Sequence, residues 1–232
     1  MATIYEVPLI LEDEGLGQLI INRLGLKAPP SDLNQWQEMV TCLKEPCEPV
    51  TIALVGKYVE LQDAYYSVRE ALCHAALYHR RSVKIDWVHS EELEKEGGEG
   101  LLQQAQGIIV PGGFGVRGIE GMVKAASYAR QNKIPYLGLC LGMQVMVIEF
   151  ARHAFASDRA NSTEFDADTP YPVIDLLPEQ KKMANKGGTM RLGNYPCRLL
   201  AGGLAAKAYG QELVYERHRH RFEFNNEFLS RL

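Results

Sequence analysis

The chain has 232 residues, 46% of them hydrophobic and 23% charged, which is enough to bury the core of one large domain, with or without an appendage. Its formal net charge of -4 excludes a general attraction to nucleic acid or anionic lipid, and no apolar run approaches the roughly 20 residues of a membrane-spanning helix. The first residues show no signal-peptide pattern. We therefore expect a cytoplasmic protein without a nucleic-acid or membrane partner.

Residues 1–48 contain two predicted short helices and no predicted strand. The segment "GLGQLIINRLGLKAPP" is an amphipathic helix that ends at Gly25 and the following proline pair. The segment "SDLNQWQEMVTCLKEP" begins a second helix with Ser31 as its N-cap. Two such helices make a poor core by themselves. We therefore expect this region to be a tail or linker, with the main domain spanning residues 49–232.

From residue 49 onward the pattern alternates between strands and helices. Strands are predicted in "VTIALVG", "SVKIDWVHS", "GIIVPGG" and "IPYLGLC", and helices in "DAYYSVREALCHAALYH", over about residues 119–131, and in "LGMQVMVIEFARH". This alternation predicts an α/β domain with a mostly parallel central sheet flanked by helices. The chemistry of such sheets collects at the carboxyl ends of their strands, and Cys140 stands at one of these ends.

The segment "GLCLG" has the spacing of a nucleophile elbow, with Gly138 and Gly142 two residues either side of Cys140. A helix that starts directly after the cysteine favours its thiolate form, and the N–H of Leu141 can donate to an oxyanion. The glycine loop "VPGGFG" over residues 110–115 can supply a second donor. The alternative is that Cys140 is a small core residue and that both glycine clusters are ordinary turns.

The other cysteines do not share this setting. The five cysteines are an odd number and include no C-x-x-C pair, which argues against a disulfide framework or a zinc knuckle. We expect no metal site. The remaining four are expected to be structural or incidental: Cys42, Cys47, Cys73 and Cys197.

Five segments, two of which include the glycine loop and the elbow, resemble those of a known family. "PGGFGVRGIEG", "IPYLGLCLGMQ", "ANSTEFD", "GGTMRLG" and "ERHRHRFEFN" occur in the order, and at close to the spacing, of the glutamine amidotransferase domain of the CTP synthase family. The segment "IYEVPLILEDEGLG" looks like the end of that family's synthetase domain, followed by an interdomain linker. The resemblance covers essentially the whole chain. It implies a class I glutamine amidotransferase-like fold with three flavodoxin-like layers and a short helical appendage.

The resemblance also implies roles for individual residues. Cys140 matches the nucleophile that forms a glutamyl thioester, and Gly113 and Leu141 match the oxyanion hole. Glu164 matches the carboxylate that holds the glutamine α-amino group, and Arg221 matches an arginine that suits its α-carboxylate. The residues matched to glutamine binding are Gly113, Leu141, Gly142, Met143, Gln144, Glu164 and Arg221.

The family's His-x-Glu motif, which completes its catalytic triad, has no match in this sequence. None of the six histidines matches the triad position, including His218 and His220 in "RHRHR". From this we expect an incomplete amidotransferase domain that is inactive or nearly so by itself. The whole enzyme is expected to be a homotetramer that makes CTP from UTP, ATP and ammonia with Mg²⁺, whereas this chain alone needs L-glutamine and no cofactor.

Two other hypotheses remain open. One is a different cysteine hydrolase with the same elbow, such as a γ-glutamyl hydrolase, in which Glu164 and Arg221 would not matter. The other is a non-catalytic fragment that serves assembly or regulation.

Overall fold

The structure, a computed structural model, describes residues 3–45, 47–176 and 190–232. The chain divides into two compact units, one of residues 1–52 with 65–85 and the other of residues 53–64 with 86–232. The helices are α1 (Val7–Asp13), α2 (Leu16–Leu24), α3 (Asn34–Lys44), α4 (Tyr66–Tyr78), α5 (Ile119–Asn132), α6 (Leu141–Phe155) and α7 (Leu204–Tyr209). The strands are β1 (Pro49–Gly56), β2 (Ser82–His89), β3 (Gly107–Val110), β4 (Tyr136–Gly138), β5 (Ala160–Ser162), β6 (Tyr171–Asp175), β7 (Arg191–Arg198), β8 (Leu213–His220) and β9 (Glu223–Phe224).

The first unit contains the four N-terminal helices. Helix α2 ends at Gly25, as predicted, and Gly25 has the left-handed φ of 63° that favours glycine. Helix α3 begins at Asn34 rather than at Ser31, because the Asp32 carboxylate accepts a hydrogen bond from the Asn34 N–H at 3.0 Å. The Tyr5 hydroxyl donates to Glu70 of α4 at 3.1 Å, so the first residues are tied to a helix of their own unit. The predicted domain boundary between residues 48 and 49 stays a prediction.

A four-stranded sheet in the order β2-β1-β3-β4 forms the centre of the fold. Strands β3 and β4 pair in parallel, with Val110 opposite Gly138. Helices α5 and α6 pack on this sheet, and the core contains buried residues of both, including Met122 and Ile148. The predicted α/β architecture, a mostly parallel sheet flanked by helices, is confirmed. In the part of the chain that the structure describes, no helix is long and apolar enough to cross a membrane.

Two smaller sheets follow α6 in the chain. Strands β5, β6 and β9 form one, with β6 and β9 antiparallel, and β7 and β8 form an antiparallel pair. The "RHRHR" segment runs along β8, where Arg217 and Arg219 are exposed while His218 and His220 are partly buried. Because side chains alternate along a strand, both histidines lie on the same face.

The turn from β4 to α6 is too crowded for larger residues at its two glycines. A Cβ atom on Gly138 would lie 2.4 Å from the backbone of Gly142, and one on Gly142 would lie 1.9 Å from the Val110 carbonyl oxygen. Between them, Cys140 has φ 55° and ψ -109°, a conformation that is rare for a residue with a side chain. The crowding expected of a nucleophile elbow is therefore present.

We predict that Gly142→Ala lowers the free energy of unfolding by about 3 kcal/mol or more, because the rigid Val110 backbone cannot move away from the added methyl group. Gly100→Ala is the control, since a Cβ atom there meets nothing within 4 Å and the change should stay within about 1 kcal/mol. Urea unfolding followed by circular dichroism measures both. Equal stability of the two variants would contradict this account of the turn.

Candidate active site

Cys140 lies in a cavity of about 290 Å³ in the second unit. This cavity brings together five of the residues predicted for the site, namely Gly113, Cys140, Gln144, Glu164 and Arg221. Leu141, Gly142 and Met143 are not among the described residues that line it. They begin α6, where the Leu141 side chain is only 2% exposed, so any contribution of Leu141 to the cavity comes from its backbone.

The first turn of α6 presents its backbone to the nucleophile. Cys140 is the N-cap residue of this 15-residue helix, and Leu141 is its first residue. The N–H of a first helical residue has no partner within the helix, so that of Leu141 is available for a ligand. The Tyr136 hydroxyl donates to the Gly142 carbonyl at 2.9 Å and supports this turn from behind.

The glycine loop after β3 lies against the elbow. A Cβ atom on Gly112 would lie 3.8 Å from the Cys140 sulfur, and one on Gly113 would lie 3.1 Å from the Leu141 side chain. The Lys57 ammonium donates to the carbonyl oxygens of Phe114, at 2.9 Å, and of Gly115. Lys57 is 3% exposed, and this burial lowers its pKa to about 8. A lysine that follows β1 therefore holds the loop that follows β3.

The two charged residues predicted to bind glutamine both line the cavity. Glu164 belongs to the turn after β5, and the N–H of Gly115 points to its carboxylate at 3.5 Å. Arg221 follows β8 and is exposed. The Gln144 side-chain amide donates to the Phe222 carbonyl at 2.7 Å. Gln144 thus ties the Arg221 segment to α6, a contact that the sequence analysis did not predict.

His220 is a residue of the site that the sequence analysis assigned to no chemical role. A hydrogen bond with Cys140, together with Glu223, raises the pKa of His220 to about 10 against the opposing effect of burial. His220 Nδ1 lies 3.4 Å from Glu223 Oε1, which leaves Nε2 as the ring nitrogen available to the thiol. The alternation of "RHRHR" could have indicated that both histidines share a face, but not that this face meets Cys140.

Three positive or potentially positive groups share the Glu223 carboxylate. Besides His220, the neighbours of Oε1 are His218 Nδ1 at 3.8 Å and Arg191 Nη1 at 3.7 Å. Burial opposes ionisation of Glu223, but these three neighbours outweigh it and hold the pKa of the carboxyl below its usual range. Burial and the Arg191 charge lower the pKa of His218. The Glu223 carboxylate is therefore ionised, and it interacts with all three neighbours rather than with one of them.

Comparisons with known proteins agree with this geometry. The family described as "Glutamine amidotransferase class-I" matches residues 60–231. CTP synthase from Dehalococcoides mccartyi is 65% identical over 228 residues, which are 98% of this chain and 42% of the relative. CTP synthase from Pelotomaculum thermopropionicum is 58% identical over 226 residues, or 97% of this chain and 42% of the relative. The chain thus spans less than half the length of these relatives.

A solved structure shows the same fold. The glutaminase domain of Trypanosoma brucei CTPS, with bound acivicin, is 39% identical and superimposes with a TM-score of 0.72. The match covers 78% of this chain and 70% of that one. The resemblance proposed from the sequence motifs is confirmed. This chain belongs to the class-I glutamine amidotransferase family, and within that family it is similar to the glutaminase domain of CTP synthases.

Proposed function

We propose that this chain is the glutaminase part of a CTP synthase, in which L-glutamine is hydrolysed through a Cys140 thioester to supply ammonia for the synthesis of CTP. The observation that carries the proposal is the convergence of Cys140, Glu164 and Arg221 on one cavity beside the glycine loop. A free amino acid carries both charges, so its site needs an anion and a cation as well as a nucleophile. The bound acivicin of the T. brucei domain, a glutamine analogue, supports the same choice of substrate.

The first chemical step is attack on the glutamine side-chain amide. In the proposed step the proton of the Cys140 thiol is held by His220, and the sulfur, at the N-terminus of α6, forms a bond to the amide carbon. The oxyanion that forms is stabilised by the N–H groups of Gly113 and Leu141. When the carbon–nitrogen bond breaks, His220 donates a proton to the departing ammonia. Lys57 is a positioning residue in this scheme, because it fixes the loop that carries Gly113.

Binding of the substrate is assigned to the charges at the cavity rim. Glu164 pairs with the α-amino group and Arg221 with the α-carboxylate. Leu141, Gly142 and Met143 are also assigned to substrate binding, and Gln144, which follows them in α6, lines the cavity. The Gln144 side chain acts indirectly, since its amide holds the Phe222 carbonyl next to Arg221.

We further propose that these 232 residues by themselves complete the reaction slowly. Hydrolysis of the thioester needs a base that is oriented toward water, and a base is normally oriented by a hydrogen bond of about 2.6–3.2 Å. Here His220 Nδ1 and Glu223 Oε1 are 3.4 Å apart, and both atoms lack a hydrogen-bond partner among the described residues. The contact stabilises charge on His220 but orients the ring poorly.

The whole protein is proposed to be a CTP synthase. The curated relatives carry that name and are more than twice as long as this chain, so the binding of UTP, ATP and Mg²⁺ is assigned to the part that this chain does not match. A homotetramer in the cytoplasm, and use of the released ammonia to aminate UTP, belong to the same proposal.

We predict that Cys140 is the first of the five cysteines to react with a substoichiometric glutamine-like electrophile, and that L-glutamine slows this reaction. Burial raises the pKa of Cys73, so that thiol should react late. Mass mapping after brief labelling, with and without glutamine and beside Cys140→Ala, measures both effects. First labelling of Cys73 or Cys197 would contradict the elbow assignment, and labelling of Cys140 without glutamine protection would favour another cysteine hydrolase.

Glu164→Ala and Arg221→Ala should each weaken glutamine protection by on the order of 2–4 kcal/mol, because one charge of the ligand is left unpaired. The rate of Cys140 alkylation without glutamine should change little. Glu212→Ala and Arg217→Ala are matched controls, since both residues are exposed and neither lines the cavity. Unchanged protection in both cavity variants would indicate a different ligand.

Ammonia release from glutamine by this chain should remain near the level of its Cys140→Ala variant, because loss of a positioned general base typically costs 10²- to 10⁴-fold in rate. His220→Ala should nevertheless slow Cys140 alkylation, since the thiolate loses its cationic partner. A version of the protein that carries a family His-x-Glu segment should release ammonia, and CTP should form only with a synthetase domain. Robust ammonia release that both Cys140→Ala and His220→Ala abolish would instead make His220 the base.

A further inference from the structure

Three buried polar atoms without hydrogen-bond partners converge beside the active-site cavity. They are His218 Nδ1, His220 Nδ1 and Glu223 Oε1, and in the described part of the chain none of them has a hydrogen-bond partner, although both histidines form ion pairs with Glu223. The carboxylate oxygen lies 3.8 Å from the first nitrogen and 3.4 Å from the second. Because buried polar atoms are nearly always paired, three such atoms facing one point indicate a place for a ligand, and a metal ion bound there would displace the proton of His220.

The strands bring the three side chains of this cluster together. His218 and His220 lie two residues apart on one face of β8, and Glu223 begins β9. Opposite His218 on β7 stands Gly193, where an added Cβ atom would meet nothing within 4 Å. Glu223 is itself only 8% exposed, so its carboxylate is held inside the protein and not at a mobile surface position.

We propose that His218, His220 and Glu223 bind a divalent cation of the zinc type. Two imidazole nitrogens and one carboxylate oxygen are a known zinc ligand set, with the fourth position left to water. Neighbouring ligands in a tetrahedral zinc site with bonds of about 2.0 Å are about 3.3 Å apart. The ligand atoms here lie within 4.8 Å of one another, so they must approach one another by up to about 1.5 Å when a metal ion binds. No metal site is expected from the sequence, because these ligands do not follow a cysteine-rich spacing.

The guanidinium of Arg191 is the competing cation. Its Nη1 lies 3.7 Å from Glu223 Oε1 and its charge repels an ion at the same oxygen. Arg191 also stacks on the Tyr195 ring, 4.3 Å from the ring centroid, so it has an alternative contact when the carboxylate binds metal. A weak or moderate affinity is expected in its presence, and a higher one without it.

The proposed metal site and the active site share His220, which also contacts Cys140. Binding of the cation needs neither glutamine nor turnover. The proposal therefore stands or falls independently of the proposed glutaminase activity, and a direct binding measurement tests it.

The test is titration of the metal-free, reduced 232-residue protein with Co²⁺, followed by competition with Zn²⁺. Coordination by nitrogen and oxygen should give the visible bands of tetrahedral cobalt without a sulfur-to-metal charge-transfer band, and Zn²⁺ should abolish them. His218→Ala and Glu223→Gln should each weaken binding more than about 100-fold, since loss of a direct ligand exceeds the 10- to 100-fold typical of outer-shell changes. Arg191→Met should tighten binding.

Two control variants test whether cobalt binds to side chains outside the proposed site. His153→Ala removes an exposed histidine of α6 and should leave the titration unchanged. Cys140→Ser should also retain the cobalt bands, because the thiol is not one of the three proposed ligands. Circular dichroism of every variant confirms folding, and Glu223→Gln, which keeps the size of the side chain, provides a second test if His218→Ala is unstable. A charge-transfer band lost in Cys140→Ser, or equal affinity in the wild type, His218→Ala and Glu223→Gln, would overturn the proposal.

Discussion

The close packing of the first turn of α6 on the end of β3 fixes the position of the nucleophile. The Val110 carbonyl approaches Gly142 so closely that no side chain fits there, and Leu141 and Val145 are buried beside it. The helix cannot slide or tilt without a clash, so its N-terminus stays aimed at the thiol of Cys140. The strained backbone of Cys140 is the local cost of this arrangement, and the surrounding core supplies the energy that maintains it.

The same helix also positions the residues that surround the nucleophile. Gln144, one turn further along α6, is bonded to the Phe222 carbonyl, and the residues on either side of Phe222 are Arg221 and Glu223. The glycine loop is held from another direction by Lys57. Two segments that are distant in the sequence, the glycine loop and residues 221–223, thus meet at one end of α6. Since each is tied by a side chain to a backbone carbonyl, their positions depend on the helix and sheet more than on one another.

The elements of the central sheet could be predicted from the sequence because their signals are local. The alternation of apolar strands with helices gave the α/β class, and the glycines around Cys140 marked the elbow, since crowding at a turn excludes larger residues there. The contact between His220 and Cys140 could not be predicted in this way. It depends on the pairing of β7 with β8 and on the Gln144 bond across 78 positions, and neither leaves a periodic pattern in the chain. The segment "GGTMRLG" lies partly outside the described residues, so only its end can be compared.

A catalytic histidine usually combines a stabilised positive charge with a fixed direction of its ring. The geometry around Glu223 separates these two properties. Coulomb energy falls only as the inverse of distance, so a carboxylate 3.4–3.8 Å from its neighbours still stabilises positive charge on His220. A hydrogen bond depends steeply on distance and angle, so the same carboxylate does little to fix the direction of the ring. Formation of the thiolate needs the charge, whereas hydrolysis of a thioester needs the direction as well. In this site the reactivity of Cys140 and the completion of a catalytic cycle therefore depend on different features of one residue, and a ligand that draws His218, His220 and Glu223 together changes both.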